Sequence, residues 1–237
     1  MQIDEQSFSP EDESLSTRLK KVQYRMQRAA EKSGRNASDI VLVAVTKTIK
    51  PAVVNQLLAL GIKNIGENKV QEAQEKRAQL QQAVTHHLIG HLQTNKARKA
   101  LELFDLIQTL DSPRLAGVMN KFAHEQNRKV RCLIEVKMGE EVTKTGIAFS
   151  EAENFVRTIS SYENLQLDGL MAIAPLGLNQ QELRDCFRSV KKVFDQLTPY
   201  FSKEPILSLG MSDDFETAIE EGSTMVRVGR ALFGDRS

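Results

Sequence analysis

Apolar positions recur at intervals of three and four along residues 14–33. Leu15, Leu19, Val22, Met26, Ala29 and Ala30 would share one face of a helix, with Gly34 beyond it as a stop. The run from Ile40 to Val45 is then continuously apolar and rich in β-branched side chains, the pattern of a parallel strand buried on both faces. From there the two patterns alternate. Strands are expected near 41–46, 63–65, 87–89, 104–108, 131–136, 167–172, 206–209 and 225–228. Helices are expected near 51–59, 68–80, 93–102, 113–126, 150–159, 180–197 and 213–221, with a last one opening at 229–233. Short strands, each followed by a helical segment, predict an α/β fold: a single (β/α)8 TIM-type barrel with an additional N-terminal helix. A doubly wound open sheet is the competing architecture. The number and shortness of the strands favour the closed barrel.

Composition narrows the class. A chain of 237 residues with 41% hydrophobic residues suits one large domain, expected over 14–237, with a core that needs neither metal nor disulfide. Cys132 and Cys186 lie in periodic apolar segments without a CxxC, which reads as reduced thiols and a cytoplasmic setting. No stretch approaches the ~20 apolar residues of a membrane helix. Residues 1–13 carry Asp4, Glu5, Glu11, Asp12 and Glu13, with no base before Arg18. They are expected to form a disordered acidic extension and are neither a signal nor a transit peptide. The net charge of +1 calls for no nucleic-acid partner.

In a (β/α)8 barrel the chemistry sits at the C-terminal strand ends. The residues expected there include Thr46, Lys47, Glu67, Asn68, Gly90, His91, Lys137, Lys144, Gly210, Met211, Ser212, Arg227, Gly229 and Arg230. Lys47 shares the alternation of Val43 and Val45. Projecting from apolar walls, its charged form would be disfavoured and the free amine made available for imine formation. The same position equally suits a lysine snorkelling into water. Ser212 and Asp213 fall at a helix start after a glycine-containing turn, and Asp213 to Glu216 has capping-box spacing. Such a start can seat a phosphate or be an ordinary N-cap. The turn after strand eight, with Gly229, Arg230 and Ala231, offers backbone N–H groups to the same anion. Arg227 lies on the face of Met225 and Gly229, where an inward cation needs a ligand or an ion pair with a nearby acid. Glu67 and Asn68 are read as opening the helix after strand two, with Glu67 favouring its dipole. His87 and His91 are interrupted by Ile89-Gly90 and do not suggest a metal site. Lys144 reads as a solvated loop residue.

Seven segments occur together in order: AVTK at 44–47, IGENKVQE at 65–72, HHLIGHLQTNK at 86–96, EEVTKTG at 140–146, LDGLMAI at 167–173, GMSDDFETAI at 210–219 and STMVRVGRALFG at 223–234. With them the chain resembles the YggS/PROSC family of pyridoxal phosphate homeostasis proteins, which includes the PipY group. The resemblance covers residue 15 to the end. It implies a barrel like the N-terminal domain of alanine racemase, with pyridoxal 5′-phosphate (PLP) held as a Schiff base on Lys47. It also implies phosphate contacts at Ser212 and the backbone of Gly229 and Arg230, Arg227 near the pyridine nitrogen and Asn68 near the ring. The cofactor-binding set expected on these grounds is Lys47, Asn68, Met211, Ser212, Arg227, Gly229 and Arg230. Many members of the family have Trp at the position of His86, Tyr at Lys69 and Thr at Arg230.

The resemblance implies a role in vitamin B6 homeostasis and amino-acid and keto-acid balance, and a PLP holder fits it better than an enzyme. An arginine donating to the ring nitrogen keeps that nitrogen unprotonated and weakens the ring as an electron sink. Racemisation needs a second acid/base, and Tyr24, Tyr162 and Tyr200 precede strands or lie in the first helix. The expectation is a cytoplasmic monomer without catalytic residues, passing PLP to apo-enzymes. A PLP-dependent amino-acid racemase is the alternative, with His87 or His91 as the second group. A class I aldolase using Lys47 and a non-binding scaffold are further readings.

Overall fold

The computed structural model describes residues 14–138 and 145–234. The acidic stretch 1–13 and Lys144 lie outside the described residues. Eight strands close a parallel barrel in sequence order: β1 (Val41–Val45), β2 (Asn64–Glu67), β3 (Thr85–Leu88), β4 (Leu106–Leu110), β5 (Val130–Glu135), β6 (Leu165–Met171), β7 (Ile206–Ser208) and β8 (Met225–Val228). The seam between β8 and β1 pairs Val43 with Arg227 and Ala44 with Val228. Around the barrel run α2 (Pro51–Ala59), α3 (Val70–Arg77), α4 (Ala97–Leu103), α5 (Pro113–Glu125), α6 (Phe149–Ser160), α7 (Gln180–Leu197), α8 (Phe215–Glu220) and α9 (Arg230–Phe233), preceded by α1 (Leu15–Lys32). This is the (β/α)8 barrel expected from the alternation, with its extra N-terminal helix.

The apolar residues divide by strand parity. Val43, Leu106, Leu133, Met171 and Met225 pack inside the barrel. Neighbours of opposite parity, such as Ala44, Cys132 and Val226, join the clusters between barrel and helices. The extra helix α1 follows the same logic. Ser14 caps it by accepting from the Thr17 N–H, and Leu19, Val22, Met26, Ala29 and Ala30 are its buried stripe. That stripe lies against α8 and α9. Arg25 stacks over Phe215 at 4.5 Å and pairs with Glu216, while Arg35 donates to the carbonyls of Ile219 and Ser223. The helix therefore buttresses the β7–α8 and β8–α9 units, whose turns face the rim.

Several boundaries differ from the expected ones. β2 extends to Glu67, so Glu67 ends a strand instead of opening a helix. The expected capping box at Asp213–Glu216 is not formed: α8 starts after Asp214, which makes no side-chain cap bond, and Glu216 is taken by Arg25. Tertiary pairing outweighs the local cap because Arg25 offers a bidentate partner. The segment read as one helix from 93 opens with a 3-10 turn at Thr94–Lys96.

Candidate functional site

All eight strands end at one rim, and parity decides which side chains reach its interior. Lys47 follows β1 and lies on the parity of Val43, which is inside the barrel. It is half-buried, and its ammonium has no hydrogen bond or ion pair among the described residues. Lys76 on α3 is the reverse case. It is buried, and its Nζ donates to Thr46 O at 2.7 Å, Glu67 Oε1 at 2.6 Å and Glu72 Oε1 at 3.1 Å. Of these two lysines only Lys47 is unengaged. Asn68 sits half-buried in the turn between β2 and α3, with Gly90 against its backbone. A Cβ at position 90 would come within 2.4 Å of Asn68 O, so glycine there allows the two turns to approach.

Across the seam, Arg227 on β8 is 4% exposed. Its Nη1 donates to Ser208 Oγ at 2.6 Å and Ser208 O at 2.8 Å, and Nη2 to Ala172 O at 2.8 Å. The partners are neutral oxygens, not the acid that an ordinary structural ion pair would supply. Burial pulls the guanidinium down to about 10, against the opposing pull of Asp214 and Glu135. It stays a cation at neutral pH and can only donate. Ser208 Oγ in turn donates to Gln108 Oε1 at 2.8 Å, Gln108 Nε2 donates to His87 Nδ1 at 3.0 Å, and His87 Nε2 donates to Asn64 Oδ1 at 3.0 Å. A single-direction hydrogen-bond chain thus crosses the barrel from β8 through β7, β4 and β3 to β2, and it fixes the His87 tautomer. Burial lowers His87 to about 4. It is a neutral member of this chain, with both ring nitrogens in hydrogen bonds; no group of His, Cys, Asp and Glu suited to a metal occurs among the described residues.

The turns after β7 and β8 meet at Ser212. Its Oγ accepts from the N–H groups of Gly229 and Ala231, both at 3.2 Å. Both acids of this turn are engaged locally: Asp214 accepts from the Met211 N–H, and Asp213 pairs with the exposed Arg230 guanidinium. Because α8 has six residues and α9 four, this seat rests on individual N–H groups more than on a helix dipole. The structure brings Met211, Ser212, Gly229 and the Arg230 backbone into one corner; Gly229 and Arg230 follow β8, which pairs with β1, the strand that leads to Lys47.

Sequence reasoning did not single out Gln108, Ser208, Lys76 or Glu135. The first two carry a readable signal, a polar residue inside an apolar strand (LIQTL and ILS). Glu135 ends β5, the strand opposite β1 in the eight-stranded ring. Its Oε1 accepts from Thr145 Oγ1 at 2.8 Å, Oε2 has no partner among the described residues, and burial raises its pKa. His91 is exposed on the same rim and bonds Asp111 through Nδ1 at 3.1 Å.

Comparison with known proteins adds the family. Residues 18–237 match the family described as "Alanine racemase, N-terminal domain". The pyridoxal phosphate homeostasis protein of Aquifex aeolicus (strain VF5) is 38% identical over 221 residues, covering 92% of this chain and 97% of the relative. That of Escherichia coli (strain K12) is 34% identical over 226 residues, covering 94% and 97%. Among solved structures, PipY of Synechococcus elongatus PCC7942 with PLP bound superposes with a TM-score of 0.82 at 33% identity, covering 93% of this chain and all of that one. An alanine racemase of Clostridium difficile 630 superposes at 0.75 over 56% of its own length, but at 16% identity it speaks to the fold alone. The shared barrel and this sequence identity over nearly the whole chain place the protein in the family of pyridoxal phosphate homeostasis proteins, within the wider family of alanine racemase N-terminal domains.

Proposed function

We propose that the protein holds PLP as an imine on Lys47 and serves vitamin B6 homeostasis, passing the cofactor on instead of turning substrates over. The observation that carries this reading is the convergence of three kinds of group on one rim. They are an unengaged amine at Lys47, a buried guanidinium at Arg227, and the Ser212 hydroxyl seated against the N–H groups of Gly229 and Ala231. That donor set fits a phosphorylated pyridine aldehyde. An oxygen acceptor already sits between the two N–H groups, and the local carboxylates are engaged elsewhere. Lys47, Asn68, Met211, Ser212, Arg227, Gly229 and the Arg230 backbone would hold PLP, whose aldehyde supplies the carbon that a primary amine attacks. The Arg230 side chain pairs with Asp213, which favours its backbone over its guanidinium as the phosphate contact. The PLP-bound PipY relative supports the same choice of ligand.

Arg227, donor only, cannot give up a proton at neutral pH. Tyr162 and Tyr200 precede β6 and β7 at the end of the barrel opposite Lys47, and Tyr24 is exposed on α1 outside the barrel, which argues against a tyrosine as the second acid/base of a racemase. We further propose that the protein is a monomer of the cytoplasm. The test is the visible spectrum with PLP, followed by borohydride reduction and peptide mapping. A reducible band with the pyridoxyl group on Lys47 is expected; a pyridoxyl group found on another lysine would overturn the assignment. Pyridoxal, lacking the phosphate, should bind far more weakly, since charge-assisted bonds worth roughly 1.5–3 kcal/mol each are absent. Ser212→Ala should reproduce part of that loss in calorimetric titration.

A further inference from the structure

Residue 47 is gripped from both sides by side chains of β2 and α3. On its N-terminal side, the carbonyl of Thr46 accepts from Lys76 Nζ at 2.7 Å, and the Thr46 hydroxyl donates to Glu67 Oε1 at 2.6 Å. On its C-terminal side, the N–H of Thr48 donates to Glu72 Oε1. One ammonium ties the two sides together, because Lys76 also donates to Glu67 at 2.6 Å and to Glu72 at 3.1 Å. Thr46 is fully buried, Glu67 is 1% exposed and Lys76 5% exposed, so the N-terminal half of the grip is made out of water, while Thr48 and Glu72 on the other side lie nearer the surface. It also holds an uncommon backbone: Thr48 has φ +63°, a left-handed conformation that a β-branched residue disfavours.

We propose that Glu67, Glu72 and Lys76 are positioning residues for Lys47: they clamp the peptide groups on both sides of it and so aim its amine. The assignment rests on the reading of Lys47 as the PLP-binding amine. The physical reason is that Lys47 lies beyond the last ladder residue of β1, Val45, in a turn where strand pairing no longer fixes the backbone. A four-carbon side chain turns a small backbone rotation into a large displacement of Nζ. Imine formation needs the amine within reach of the aldehyde carbon at a defined angle, whereas the affinity contributed by ring and phosphate does not. The clamp should therefore act on the covalent step alone.

Glu72 provides the cleaner variants because it is the more exposed acid; Lys76→Met would strand Glu67 in the interior and endanger folding. Glu72→Ala removes the acceptor of the Thr48 N–H, and Glu72→Gln keeps an oxygen there. Amide hydrogen exchange at Thr48, measured without PLP, should quicken in Glu72→Ala and be restored in Glu72→Gln. The equilibrium for imine formation with PLP should weaken about ten-fold in Glu72→Ala, the size of one net hydrogen bond, and recover in Glu72→Gln. Affinity for pyridoxine 5′-phosphate, which has the ring and phosphate but no aldehyde, should stay as in the wild type. Unchanged imine formation in Glu72→Ala despite fast Thr48 exchange would overturn the proposal. So would a parallel loss of pyridoxine 5′-phosphate affinity, which would make the cluster a support of the whole site. Wild-type protein with no reducible imine at Lys47 would instead overturn the PLP reading, and the clamp's role with it.

Discussion

His86 and His87 are adjacent on β3, and burial lowers both to about 4 from an ordinary value of 6.5. Each is neutral in the folded protein, so the unfolded chain binds the extra proton first as pH falls. The stability they contribute is fully present above about pH 6.5, is lost as pH falls towards about 4, and changes no further below that; the loss is on the order of 3 kcal/mol per residue. Unfolding by urea at about pH 7 and about pH 4.5 should show a smaller acid loss in His87→Gln than in the wild type, and equal losses would contradict the buried neutral assignment. Ser208 is a second test at this scale. Its hydroxyl both accepts from Arg227 and donates to Gln108, so Ser208→Ala leaves two buried groups short of a partner. The expected cost is about 1–3 kcal/mol in chemical denaturation.

At the scale of elements, α1 and the β7–α8 turn make opposite kinds of demand. α1 needs only its apolar stripe. Met26→Ala, deleting a buried side chain, should cost about 2–4 kcal/mol, while Tyr24→Ala, 58% exposed on the same helix, should stay within about 0.5 kcal/mol. Comparable losses for the two would mean that the helix is not packed as described. The β7–α8 turn needs a particular backbone. Gly210 has φ +90°, and a Cβ there would lie 2.7 Å from Phe215 Cα, a backbone atom that cannot step aside. Gly210→Ala should therefore shift the turn that carries Met211 and Ser212. Thermal stability and PLP affinity should fall together, in contrast to Ser212→Ala, where affinity falls and stability largely holds.

At the scale of the whole molecule, the decisive fact is which end of the barrel each residue occupies. Lys47, Arg227 and the Ser212 seat share the C-terminal rim, while Tyr162 and Tyr200 lie at the other end. A protein built this way should transfer PLP to an apo-enzyme in a reactivation assay and show no sustained racemisation in a chiral assay across the common amino acids. Racemisation that disappears in Lys47→Ala, without any transfer, would establish an enzyme instead. Light scattering should report a monomer at micromolar concentration.

Much of this was legible in the chain because it depends on local periodicity. Short continuously apolar runs, with periods of three and four between them, point to eight strands, their helices and the amphipathic α1, and strand number and length favour closing them into a barrel. The parity of VLVAVTK and MVRVG likewise puts Lys47 on the face of Val43 and Arg227 on the face of Met225, and the closed barrel turns both faces inward. The rest depended on contacts between residues far apart in sequence. Arg227 could have met an acid or a ligand, and only the closed barrel sets it against Ser208 and Ala172. Glu67 read as the first residue of a helix because nothing local distinguishes a strand end from a helix start. The pairing of β2 with β3 through Glu67 and Leu88 makes the distinction. Glu216 read as half of a capping box until Arg25, 191 residues away, claimed it. Lys47 and Lys76 are chemically identical in the sequence. The tertiary structure alone commits every hydrogen of one ammonium to an oxygen and leaves the other unengaged.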